Sequence, residues 1–318
     1  MRREGWRAAL ADRPAHDSVD DRARPGAGNW GRWGSEDQAG ALNLVQAPQV
    51  RAALLAATDG EVVSLAQPFG PGAMVSPHRL RPARFMDRDA GDYASGARAP
   101  HGFRFAEDTV QLPTHSGTHV DALCHVWEGE QLYNGHPASG LRSTRGADHC
   151  GADALRPVVA RGVLVDMQEH LGRPMEGGEA VTVQSLRSFL DARGLQLEAG
   201  DAVLIRTGWW ERGLGAEAYH QSEPGIDLDA ARFLAGQDVS LVGADNYAIE
   251  QQPSPPDASF PVHLCLLHKF GVPLLENLDL SRLAEALRRR GRSVFALVVA
   301  PLPLQGSTAA PVCPVAVL

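Results

Sequence analysis

The segment His115-Ser-Gly-Thr-His119-Val-Asp121-Ala-Leu-Cys124-His125 sets a second imidazole, a carboxylate and a third imidazole at 4, 6 and 10 residues from His115. On an α-helix, at about 100° per residue, Asp121 would fall on the far side from His115 and His119. On an extended chain every even separation shares one face. Gly117 lets the backbone bend, so the side chains can converge rather than stand in a row. Nitrogen and oxygen donors converging without a thiolate suit zinc or manganese in a catalytic role, with room for water, better than a structural zinc. The histidines are also concentrated here: six of the twelve lie between His101 and His149, which sets the cluster apart from scattered core histidines. Cys124 has odd parity relative to these donors and is expected on the opposite face as a buried thiol.

The elements that must position this segment are clearest in the second half of the chain. Val158–Met167, Ala202–Arg206, Val239–Val242, Val272–Leu275 and Val294–Val299 are apolar runs of strand length. Between them, Val183–Arg193 has helical spacing, with Thr182 as N-cap, Leu186, Phe189 and Leu190 on one face, and Gly194 just past its end. A helix is predicted around His263–Phe270, closed by Gly271, and another over Ser281–Arg290, closed by Gly291. The first half offers a helix at Pro48–Ala57 and short β-like runs at Glu61–Leu65 and Thr109–Leu112. Residues 69–100 are expected to form one long loop. Residues 1–30 lack periodicity and are expected to be a disordered or loosely packed tail. The alternation predicts an α/β (mixed α+β) architecture with a single domain over residues 31–318.

Composition narrows the function class. The 318 residues carry 30 Lys and Arg against 38 Asp and Glu, a net charge of −8, which disfavours nucleic acid as a partner. No apolar run approaches the length of a membrane span, and the four separated cysteines form no C-x-x-C pair. The N-terminus lacks the apolar stretch of a secretory signal, so a cytoplasmic location is expected. No phosphate-loop or dinucleotide-binding glycine pattern is present.

At these residues the sequence resembles the cyclase family of metal-dependent hydrolases, known best from bacterial kynurenine formamidases and including isatin hydrolases and a trans-dienelactone hydrolase. His115 to His125 resembles the family's H-x-G-T-H-x-D-x-P-x-H signature, with Leu123 at the position of the proline. Matching stretches run in order along about residues 30–318. They include Trp33 to Asn43, His125 to Gly135, Arg161 to Asp166, Gly200 to Gly208, Gly243 to Asp245, His263 to Leu278 and Pro301 to Thr308. The resemblance implies a swivelling β/β/α fold. It implies His115, His119, Asp121, His263 and Glu276 as ligands of one or two divalent ions, zinc or manganese, and His125 as the proton donor and acceptor. From its position alone Glu276 is either a ligand or a solvated strand end. His268, five residues after His263, does not share its helix face.

Trp33, Trp127, Trp209 and Trp210 are candidates for an aromatic wall around a planar substrate. The expected activity is hydrolysis of an activated amide, formamide, cyclic amide or lactone of a small-molecule substrate. A cyclase or dehydratase using the same metal as a Lewis acid is the alternative, and a metal-binding homologue without activity is the alternative of another class. A homodimer or homotetramer is expected.

Overall fold

The computed structural model describes residues 28–70 and 73–318. Its centre is a nine-stranded mixed sheet in the order Val62–Ser64, Val315–Val317, Val294–Val299, Val158–Asp166, Ala202–Arg206, Leu241–Ala244, Leu274–Glu276, His119–Asp121 and Ala309–Pro311. The four strands from Val158–Asp166 to Leu274–Glu276 run parallel to one another, and every other pairing is antiparallel. Ala202–Arg206 and Leu241–Ala244 are buried along their whole length, as near-continuous apolar runs must be when both faces of a parallel sheet are covered. This is a mixed α/β architecture with a large curled sheet, as the residue patterns predict.

Helices cover the sheet with the faces expected of them. Val183–Arg193 buries Leu186, Phe189 and Leu190; the Thr182 hydroxyl accepts from Ser185 N at 3.2 Å, and Gly194 closes the helix in the left-handed conformation. Ser281–Arg290 buries Leu283 and Leu287 and ends at Gly291 in the same way. Ala47–Ala56 packs on Val158–Asp166 and Val294–Val299. The helix expected at His263–Phe270 is one short α-turn, Pro261–His263, continued as a π-helix over Leu264–Phe270.

The long loop expected over residues 69–100 is corrected. It contains the strand Ala83–Arg88 and the helix Ala90–Ala94, and the strand pairs antiparallel with Glu107–Gln111 as a separate two-stranded ribbon. Both faces of this ribbon are largely exposed, so its residues carry no apolar alternation to read. The strands expected at Val239–Val242 and Val272–Leu275 start two residues later, because the apolar runs begin before the ladder does. Of the tail expected over residues 1–30, residues 1–27 lie outside the described residues. Asn29 N donates to Lys269 O at 2.9 Å and Trp30 Nε1 to His268 O at 2.7 Å, so residues 29 and 30 are packed on the domain and are not part of a loose tail. No helix among the described residues is long and apolar enough to cross a membrane.

Candidate metal centre

Three separate parts of the chain meet at the edge of the sheet. His119 and Asp121 lie two residues apart on one short strand and point to the same side, as their even spacing requires. Opposite them, Glu276 is the direct register partner of His119. The Ala309–Pro311 strand flanks the other side, pairing Ala309 with Asp121.

His115 does not extend that strand. It precedes a turn at Gly117, whose φ of +61° is in the left-handed region and whose Cα faces the Phe69 ring so closely that a β-carbon would collide with it. This turn folds the His115 ring back, 5.1 Å from that of His119. His125 follows a turn in which its own N–H donates to Ala122 O at 2.9 Å. Its ring lies 4.0 Å from the His115 ring. His263 arrives from the last residue of the α-turn at the start of the π-helix.

The structure brings all six predicted residues together. Asp121 is the hub: its Oδ1 lies 2.8 Å from His115 Nδ1 and 3.4 Å from His119 Nε2, and its Oδ2 lies 3.9 Å from His125 Nε2 and 3.8 Å from His263 Nε2. Glu276 reaches His119 Nε2 and His263 Nε2, each at 3.2 Å.

Three of the imidazoles are oriented from behind. His119 Nδ1–H donates to Gly117 O at 2.9 Å, which turns Nε2 toward the carboxylates. His263 Nδ1 lies 2.6 Å from Glu250 Oε1, which fixes its Nε2 toward the centre in the same way. His115 Nε2 meets Thr308 Oγ1 at 2.9 Å, leaving Nδ1 toward Asp121. Such outer partners set both tautomer and ring orientation in metal sites. Sequence reading did not find Glu250 or Thr308. Thr308 ends one of the matching stretches, whereas Glu250 stands in an irregular segment with no periodic signal.

The donor set passes a test of fit. His115 Nδ1, His119 Nε2, both oxygens of Asp121 and Glu276 Oε1 are buried, face one another and form no well-aligned hydrogen bond. Buried polar atoms are ordinarily paired, because an unmet donor or acceptor costs about 1–3 kcal/mol. Five such atoms aimed at one another are what a bound cation would satisfy. With His125, the side chains sort into two overlapping triads, His115–Asp121–His125 and His119–Asp121–Glu276, which share Asp121.

Electrostatics agree with the geometry. Burial opposes charge on Asp121, yet His125, His115 and His119 hold its carboxyl well below the usual range. Burial likewise opposes a charged His119, but contacts with Asp121 and Glu276 raise it to about 9. His263 is raised by Glu250 and Glu276 in spite of burial. His125 differs: burial, with help from His115 and His263 and against Asp121, lowers it to about 3. It is the ring of the group most open to solvent, with 26% of its side chain exposed. Cys124 points away, its thiol 3.8 Å from Ser307 O and pushed up by burial to about 12, as its parity predicts.

The tryptophans are not gathered at this site. Trp33 packs on the core beneath the Arg32 guanidinium, and Trp127 is 44% exposed. Among the described residues, none of their ring contacts reaches the six residues. Trp209 is buried, and its Nε1 donates to Tyr219 O at 3.1 Å. It therefore acts behind Tyr219, whose hydroxyl donates to Asn277 Oδ1 at 3.0 Å beside Glu276. The aromatic rings that do reach the site are Phe260, 5.3 Å from His263, and Phe69 over Gly117. An aromatic count could not separate these from the tryptophans, because their placement depends on the turns that carry them.

Comparison with known proteins agrees with this assembly. The family model described as "Putative cyclase" matches residues 63–251, more than half of the chain. Cyclase-like protein 3 of Oryza sativa subsp. japonica is 28% identical over 216 residues, 67% of this chain and 66% of that protein, so just under two thirds of the rice protein is spanned. The isatin hydrolase of Roseibium aggregatum is 26% identical over 218 residues, 65% of this chain and 73% of that protein. A crystal structure of a novel cyclase superposes with a TM-score of 0.85 at 34% identity, covering 92% of this chain and 99% of that one. By this breadth of match, in sequence and in fold, the chain belongs to the cyclase family.

Proposed function

We propose that this protein is a metal-dependent hydrolase that opens an activated amide, formamide, cyclic amide or lactone. The observation that carries the proposal is the set of buried polar atoms of His115, His119, Asp121 and Glu276 converging on one point, with a more exposed His125 beside them. The isatin hydrolase among its relatives points to the same bond class. His115, His119, Asp121, His263 and Glu276 would hold zinc or manganese. A divalent ion there would activate water and polarise a carbonyl.

The remaining chemistry falls to the side chains. His125 is neutral at pH 7 and within 3.9 Å of Asp121, so its Nε2 can accept a proton from attacking water. Once protonated, a ring whose pKa is depressed gives the proton up readily, and the leaving nitrogen or oxygen is its natural acceptor. A leaving aniline or enolate needs that proton less than an alkyl amine does, which favours activated substrates. Glu250 and Thr308 keep His263 and His115 aligned through the cycle.

The test is metal analysis of the purified protein, then turnover of N-formylkynurenine, isatin and dienelactones in H₂¹⁸O. Incorporation of ¹⁸O into product marks hydrolysis. Turnover without incorporation would make the protein a cyclase or dehydratase, and metal uptake without turnover of any of these would count against the hydrolase reading.

A further inference from the structure

A cation without a carboxylate partner stands against this centre. Arg79 Nη1 donates to the backbone carbonyl of His115, and among the described residues Arg79 makes no ion pair with any Asp or Glu. Its guanidinium lies over the Tyr247 ring, 5.3 Å from the centroid, and Tyr247 meets His220 edge-on at 4.6 Å. Tyr247 and His220 stand within the fields of both Arg79 and Glu276. Burial raises the Tyr247 phenol, with Arg79 and Glu276 pulling in opposite directions, and burial lowers His220 under the same two charges.

Arginine carries five N–H donors in a planar fork, and among the described residues only one of those of Arg79 is committed to protein. Beside it opens a cavity of about 460 Å³ lined by Ser76, Arg79, Arg81 and Glu217 among others. A guanidinium over an aromatic face, with donors not used by the described residues, matches a carboxylate in two parallel hydrogen bonds better than it matches a neutral group. Holding an anion there also keeps it away from Asp121 and Glu276, which would repel it.

We propose that Arg79, backed by Tyr247, forms an anion subsite beside the metal centre and selects carbonyl substrates that carry a separate carboxylate. The proposal rests on the hydrolase reading of the centre and adds the class of substrate. The competing role for Arg79 is a purely structural one, bracing the His115 carbonyl.

The test uses the full-length, zinc-loaded protein with benzoate as probe and benzamide as its neutral counterpart, measured by titration calorimetry. Benzoate affinity should fall about tenfold or more in Arg79→Gln, as expected for loss of a charge-assisted contact, and be partly retained in Arg79→Lys. Benzamide binding should not change, and chelator competition should show the same zinc affinity in all three proteins. Equal benzoate affinity in wild type and Arg79→Gln, or no benzoate binding to wild type, would overturn the subsite. Zinc and benzoate binding lost together would assign Arg79 to the brace. Arg79-dependent benzoate binding by a protein that hydrolyses no amide or lactone would defeat the hydrolase reading while leaving the subsite supported.

Discussion

His119 and Glu276 are direct cross-strand partners in the antiparallel ladder, and their side chains meet at 3.2 Å, Nε2 to Oε2, on one face of the sheet. Directly opposed residues on neighbouring strands have β-carbons about 4.5–5.5 Å apart, so the backbone register itself brings these two donors within reach of one ion. A slip of one residue would turn Glu276 to the other face.

Replacing His119 by alanine should therefore remove bound metal and activity together. Metal analysis of the purified His119→Ala protein checks this; stoichiometric zinc or manganese in it would refute the ligand assignment. Because metal that binds only the folded state adds to its stability, the variant should also melt lower than wild type when metal is present.

His125→Ala should behave differently. Its fold and metal content should be kept, while kcat drops by roughly 10²–10⁴, the usual worth of a positioned general acid or base. Loss of metal from this variant would make His125 a ligand.

Glu250 should matter without touching the ion. Glu250→Ala frees the His263 ring to rotate, and metal affinity should fall about 10–100-fold, with Glu250→Gln intermediate because its amide oxygen can still accept from Nδ1–H. Competition against a chelator of known affinity gives the numbers; unchanged affinity in both variants would remove Glu250 from the centre.

Metal uptake should release protons. In the metal-free protein His119 titrates near 9 rather than at its ordinary 6.5, so at pH 7 its Nε2 carries a proton that an incoming ion must displace. Affinity should rise with pH until about 9, and calorimetry in buffers of different ionisation heat should count the protons. The same shift stabilises the metal-free fold fully below about 6.5, and that contribution is lost as pH rises through about 9. A metal affinity flat from pH 6 to 9 would contradict this picture.

Much of this was legible in the residues. The even spacing of His119 and Asp121 and the odd parity of Cys124 translate directly into faces of an extended chain. Caps such as Thr182 and Gly194 mark helix ends because their chemistry is local. His263 and Glu276 were readable only through family resemblance, because no spacing rule connects positions so far apart in sequence. Glu250 left no signal, since its role is a single hydrogen bond set by tertiary folding. The ribbon Ala83–Arg88 and Glu107–Gln111 escaped for the opposite reason: with both faces exposed, neither strand needs an apolar pattern.

The Ala309–Pro311 strand flanks Asp121 and His119, and Thr308 before it holds His115. The His115 ring is thus held by a residue 193 positions later in the sequence. Such high contact order makes the centre a late product of folding, since distant segments must be closed against their loop entropy before any ladder rewards them. Until Leu274–Glu276 and Ala309–Pro311 have paired with it, the His119–Asp121 strand has no neighbour on either side. An ion held by these donors would therefore bind tightly only once the distant ladders have formed, closing the fold rather than seeding it.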